Sequence, residues 1–151
     1  MNTNGSTQPG GRVVHVIDSD AGLLHSLRFS LELDGYGVRT YPDGRELLAS
    51  AELPASGCLV IDNDLPPATG LDVLAQLRRR GMTIPAILTA SAATPAVRAR
   101  ASEAGVAAVV EKPLLGHTLS NAIVNALAGK TPAAPQRLRN HDAKIQAKRA
   151  S

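Results

Sequence analysis

"GCLVIDNDLPPATGLDVLAQLRRRG", residues 57–81, is the stretch from which the fold can be read. Its first third, Gly57 to Asp62, is an apolar run that stops at a carboxylate. From Thr69 the residues read as a helix, which ends in Arg78, Arg79, Arg80 and Gly81. Cations suit the negative end of a helix dipole, and glycine suits the turn that follows it. A strand that is apolar throughout, rather than alternating, suits a parallel sheet covered on both faces. Parallel neighbours in turn require a crossover helix.

The same unit recurs in both directions along the chain. Upstream, "RVVHVID" (12–18) is a strand, and "AGLLHSLRFSLELDG" (21–35) is a helix with Leu23, Leu24, Leu27 and Leu31 at helical spacing. "YGVRTY" (36–41) is a short strand, and "DGRELLASAEL" (43–53) a short helix with Asp43 as N-cap. Downstream, "IPAILT" (84–89) is a strand. "TPAVRARASEAG" (94–105) opens a helix with a Thr-Pro pair at N-cap and N1. "VAAVVE" (106–111) is the fifth strand and "HTLSNAIVNALAG" (117–129) the last amphipathic helix. Five strands alternating with five helices, joined by right-handed crossovers, give a doubly wound α/β sandwich.

Composition bounds the rest. Apolar residues are 44% of the 151, enough to fill a core, but aromatics are only 2%, so Ala, Val, Leu and Ile must build it. One cysteine, Cys58, excludes a disulfide framework and a Cys-rich zinc site, and its place in an apolar run predicts a buried, inert thiol. No apolar stretch is long enough to span a bilayer and residues 1–12 lack a signal-peptide core, so a cytoplasmic protein without membrane contact is expected. No glycine-rich phosphate loop of either common type is present. Charge is uneven. From Gly129 onward six basic residues (Lys130, Arg137, Arg139, Lys144, Lys148, Arg149) stand against Asp142 alone, leaving the preceding residues a net of −2. Residues 1–11 are expected to be disordered, 12–128 to fold as one domain, and 129–151 to form a basic, disordered tail.

In a doubly wound sheet the ligand site lies beyond the C-terminal ends of the strands. That rule gathers Asp18 and Asp20 after strand 1, Asp62 after strand 3 and Lys112 after strand 5. Clustered carboxylates suit a hard divalent cation, Mg2+ the natural candidate, and the ammonium helps to hold an anion. A carboxylate, a cation and a lysine together can accept a phosphoryl group: the positive charges neutralise the equatorial oxygens while the carboxylate attacks in line.

From about Arg12 to Leu127 the chain resembles the receiver domain of two-component response regulators. "VVHVIDSD" resembles its acidic strand-1 motif, "LVIDNDLPPATGLDVL" its phosphorylation-site motif, "IPAILTAS" its strand 4 and "VVEKPL" its lysine–proline motif. The second and fourth are the specific ones. The resemblance implies a flavodoxin-like sheet of order 2-1-3-4-5. It implies Asp62 as phosphoacceptor, Asp18 as a metal-site acid, and Mg2+ held by Asp18, Asp62 and the backbone carbonyl of Asp64. Lys112 would pair with the acyl phosphate, Pro113 would follow a cis peptide, and a strand-4 hydroxyl would be drawn to the phosphoryl group. The partners implied are a histidine kinase or phosphotransfer protein upstream, and a downstream protein on the helix 4–strand 5–helix 5 face. The fold would serve as a phosphorelay module rather than an enzyme, and since no DNA-binding region follows, a stand-alone one.

Three positions depart from the family pattern. Ser19 stands where a second acidic residue is usual, and a hydroxyl is the weaker Mg2+ ligand; Asp20, next along, would ordinarily cap helix 1. In strand 4 ungapped counting puts the switch position on Ala90, whereas a compensated one-residue shift puts it on Thr89, the reading favoured here. The usual switch aromatic is Val109. Ser19 and Val109 leave open a pseudo-receiver, a protein-interaction module that works without phosphate. "LVIDNDLP" also resembles the nucleophile motif of haloacid-dehalogenase phosphatases, but the later acidic pair those enzymes need is missing: after Lys112 the only acid is Asp142. A plain strand-end aspartate, a solvated lysine and a helix-capping acid are the simpler alternatives for Asp62, Lys112 and Asp18. No chemistry is assigned to His15, His25 or His117. "LRRRG" reads as a helix end rather than a nucleic-acid contact. The basic tail is a solvated segment first, and a tether to nucleic acid or an acidic partner second.

Overall fold

A computed structural model describes residues 12–50 and 52–129. The disorder expected for residues 1–11 and for the basic tail from Lys130 onward concerns residues outside these. Five parallel strands, β1 (Val13–Ile17), β2 (Gly37–Tyr41), β3 (Cys58–Asp62), β4 (Ala86–Ala90) and β5 (Ala108–Glu111), form one sheet in the order β2-β1-β3-β4-β5. Helices α1 (Ala21–Leu33), α2 (Gly44–Leu48), α3 (Gly70–Arg79), α4 (Pro95–Glu103) and α5 (Thr118–Leu127) make the crossovers. This is the doubly wound order expected.

The sheet separates two apolar cores. One face carries Ile17, Leu59, Ile61, Ala86 and Leu88 against Leu47 of α2, Leu71, Leu74 and Leu77 of α3, and Ala101 of α4. The other carries Val14, Val16, Cys58, Val60 and Ile87 against Leu24 and Leu31 of α1, and Leu119, Ile123 and Ala126 of α5. The central strands β3 and β4 are buried along their whole length, while the edge strands β2 and β5 are only partly covered. Burial pushes the Cys58 thiol up to about 12, which keeps it protonated and unreactive.

Local chemistry starts each helix where the sequence places it. Asp20, Asp43, Thr69 and Thr94 accept from the backbone N–H three residues on, at 3.0–3.1 Å. At α3 the bond is reciprocated by Asp72, whose carboxylate accepts from the Thr69 N–H. One element is shorter than expected. The helix anticipated over 43–53 covers only Gly44–Leu48; Leu53 still packs on the first core, but it precedes Pro54, and a proline disfavours helical backbone in the residue before it. The arginines of "LRRRG" close the end of α3. Arg78 donates to the carbonyls of Met82 and Ile84, and Arg80 donates to that of Leu48, fastening α3 to the loop after it and to α2. Among the described residues no helix is long and apolar enough to cross a membrane.

Candidate functional site

The strand ends bring Asp18, Asp62, Thr89 and Lys112 into one cluster. Asp62 is the last residue of β3, and Thr89 is its register partner on β4. Asp18 and Lys112 lie one residue beyond β1 and β5. Each is held by a ladder-like bond to its neighbour: Asp18 N–H to the Tyr41 carbonyl at 3.1 Å, Lys112 N–H to the Ala90 carbonyl at 2.8 Å. The Lys112–Pro113 peptide is cis, as is Pro66–Pro67.

Lys112 bridges the two aspartates. Its Nζ donates to Asp18 Oδ2 at 2.8 Å and to Asp62 Oδ2 at 3.1 Å, with both carboxylates buried. The remaining oxygens are also engaged: Asp18 Oδ1 accepts from the Asp20 N–H at 2.8 Å, and Asp62 Oδ1 from the Asp64 N–H at 3.3 Å. The Thr89 hydroxyl stands 3.5 Å from Asp62 Oδ1. Strand 4 places Thr89 on the face it shares with Ile87, toward its partner Asp62, and Ala90 on the opposite one.

The charges are unequally balanced. Burial and the nearby Asp18 carboxylate raise the pKa of Asp62 above the usual carboxylate value, against the Asp64 N–H and Lys112, which lower it. Burial works against the Lys112 ammonium, yet the bonds it donates to Asp18 and Asp62 outweigh it and the pKa is raised. One ammonium is thus secured by two carboxylates, whereas each carboxylate has only a share of one ammonium. With both carboxylates ionised, the cluster carries one more negative charge than Lys112 neutralises.

Two residues that support Asp62 were not singled out in the sequence. A Cβ at Gly70 would lie 2.2 Å from the Asp62 carbonyl oxygen, so only glycine lets the start of α3 approach the end of β3 this closely. Asn63 bonds along both edges of the turn: its N–H donates to the Thr89 carbonyl at 2.8 Å, its carbonyl accepts from the Gly70 N–H, and its Oδ1 accepts from the Leu71 N–H at 3.1 Å. A glycine at the first helical position was the visible signal. Asp64, expected to contribute a backbone carbonyl to the metal, directs its carboxylate elsewhere: Oδ2 accepts from the Ser91 N–H at 3.1 Å.

As a cation site the donors suffice for Mg2+ but not for more. Asp18 and Asp62 supply two carboxylates, and Mg2+ characteristically uses one or two while keeping several waters. Ser19 is exposed and Asp20 uses its carboxylate to cap α1. Among the described residues no group of three or more His, Cys, Asp or Glu residues could hold a metal by itself.

A family model described as the response regulator receiver domain matches residues 14–124. The chain therefore belongs to the response regulator receiver domain family. It is 27% identical over 121 residues to the transcriptional regulatory protein FixJ of Bradyrhizobium diazoefficiens, covering 80% of this chain and 59% of that one. It is 30% identical over 115 residues to the response regulator protein TodT of Pseudomonas putida, covering 76% of this chain and 51% of that one. The chain thus spans roughly half to three-fifths of the length of these relatives. Among solved structures, a CheY-like receiver domain protein from Methanospirillum hungatei superposes with a TM-score of 0.69 at 26% identity, covering 78% of this chain and 94% of that one.

Proposed function

We propose that this receiver accepts a phosphoryl group on Asp62 from a phosphohistidine on a histidine kinase or phosphotransfer protein. The observation that carries the reading is the Lys112 bridge, which joins an ammonium to two buried carboxylates at the open end of a parallel sheet. In the transfer one Asp62 oxygen forms a bond to phosphorus as the phosphorus–nitrogen bond of the donor breaks, and the imidazole leaves with the electron pair. Asp18 and Asp62 would hold Mg2+, which supplies positive charge to the transferring oxygens when bound. Lys112 is positioned to exchange its bond to Asp62 Oδ2 for one to a phosphoryl oxygen. Thr89, already facing Asp62, supplies the hydroxyl that would move toward it. The role is that of a substrate for its partner rather than of an enzyme.

Incubation with a small-molecule phosphodonor and Mg2+, followed by intact-mass analysis, tests this directly. One phosphoryl adduct is expected on the native protein and none on Asp62→Asn. Adducts on both proteins would refute Asp62 as the acceptor. A second reading, a pseudo-receiver whose contacts do not depend on phosphate, is favoured by the exposed Ser19 and by the capping use of Asp20. It expects no adduct even with a cognate phosphohistidine protein as donor, and unchanged partner binding by Asp62→Ala.

A further inference from the structure

The loop between β4 and α4 is held by carboxylates that belong to the site's own neighbours. Asp64 Oδ2 accepts from the Ser91 N–H at 3.1 Å, and Glu111 Oε2 lies 3.5 Å from the Ala93 N–H. Asp64 is two residues after Asp62 and donates its own N–H to Asp62 Oδ1, so one residue joins the acceptor carboxylate to the first residue of the loop. Glu111 immediately precedes Lys112, the counter-ion of Asp62.

The helix that follows is lightly held. Of α4 only Ala101 is buried, Val97 is half-buried, and the rest is exposed. The Thr89 hydroxyl is at the outer limit of hydrogen bonding to Asp62, and Val109 supplies no ring whose rotation could carry a signal. The Asp64–Ser91 bond is the shorter connection between Asp62 and the loop that leads into α4.

We propose that Asp64 is a positioning residue whose carboxylate clasps the β4–α4 loop and releases it when negative charge is added at Asp62. The inference rests on the phosphoryl-acceptor reading and goes beyond it, by assigning the coupling in this chain to a carboxylate–amide clasp. Additional charge on Asp62 repels the neighbouring carboxylate. Displacing that carboxylate frees the Ser91 N–H, and the loop and the start of α4 lose an anchor. The backbone carbonyl of Asp64, the group expected to face a cation, is untouched by side-chain substitution, so the two roles separate.

The experiment is amide hydrogen exchange at Ser91 and through residues 91–104 in Mg2+ throughout, with and without beryllofluoride, while fluorine NMR reports whether an adduct has formed. In the native protein exchange at Ser91 should rise about tenfold when the adduct forms, the effect of losing one charge-assisted bond. Asp64→Asn keeps an oxygen acceptor without the charge, and should stay protected with and without adduct. Asp64→Ala should exchange rapidly in both states. Equal Ser91 exchange in native and Asp64→Ala protein without the adduct overturns the clasp, and native exchange that does not rise when the adduct forms overturns its release. Failure of the native protein to form the adduct is a separate outcome that removes the phosphoryl-acceptor reading. In that event the unliganded comparison of native and Asp64→Ala protein still upholds or overturns the clasp itself.

Discussion

Asp62 is costly to ionise in the folded chain, and this has an observable sign. Burial and Asp18 raise its pKa in the folded chain, so the unfolded chain releases the proton more readily. The contribution of this group is favourable below the unfolded value near 3.8 and is lost as pH rises through the higher folded value. Asp62→Asn should therefore unfold at a higher urea midpoint than the native protein at pH 7, with the gap narrowing toward pH 3.5. Lys112→Met should act in the opposite direction, lowering stability by about 1–3 kcal/mol, because it leaves two buried carboxylates without a counter-charge. Urea titrations of the three proteins at both pH values check the pair of signs. His15 supplies a second pH effect. It is buried with its Nε2 3.4 Å from the Ser56 carbonyl and its Nδ1 without a partner among the described residues, and burial, with the Arg39 charge adding to it, lowers its pKa despite the Ser56 bond. Stability from this group is present above the unfolded value near 6.5 and declines as pH falls below it. His15→Leu should flatten the loss of thermal stability between pH 7 and 5; an unchanged slope would show that the acid sensitivity arises elsewhere.

At the scale of elements, the caps were legible because they depend on residues three apart. Asp20, Asp43 and the Thr94–Pro95 pair start their helices where the pattern changes from apolar run to helical spacing. What the linear pattern did not carry was the distance between elements. Gly70 is the sharpest example. Alanine is the better helix former by about 1 kcal/mol, so propensity alone predicts that Gly70→Ala stabilises α3. The added Cβ would meet the backbone of Asp62, which cannot rotate away, so the expected result is a loss of about 1–3 kcal/mol together with shifted amide resonances at Asp62 and Asn63. Denaturant unfolding and a two-dimensional NMR spectrum of the variant test both halves. A gain in stability would mean that α3 can slide away from β3 freely. The arginines of α3 make a complementary point: charge and position marked a helix end, but that Arg80 reaches the Leu48 carbonyl of another helix became visible only in three dimensions.

At the scale of the molecule, one sheet serves two cores, so losing either is expected to unfold the other. Leu74 is fully buried on the α2–α4 face and Ile123 on the α1–α5 face. Leu74→Ala and Ile123→Ala should each destabilise the protein by about 2–5 kcal/mol. Tyr41 packs against the first core and Tyr36 against the second, so single-tyrosine variants report the faces separately. Both reporters should trace one coincident transition in either alanine variant. Two separated transitions would show that the cores unfold independently.

The alternation of apolar runs and helical segments determined the doubly wound sheet, since uniformly apolar strands must be covered on both sides and parallel neighbours need crossovers. The identities of Asp18, Asp62 and Lys112 were legible for the same reason: each ends or follows such a run, and in this architecture those ends converge. Tertiary structure alone decided the rest. It placed Thr89 rather than Ala90 beside Asp62, because facing is set by strand register, which a one-residue ambiguity in the sequence reverses. It turned the Asp64 carboxylate to the Ser91 N–H and engaged all four oxygens of the buried aspartates, because a hydrogen bond is made by whatever group lies within about 3 Å, regardless of its distance along the chain.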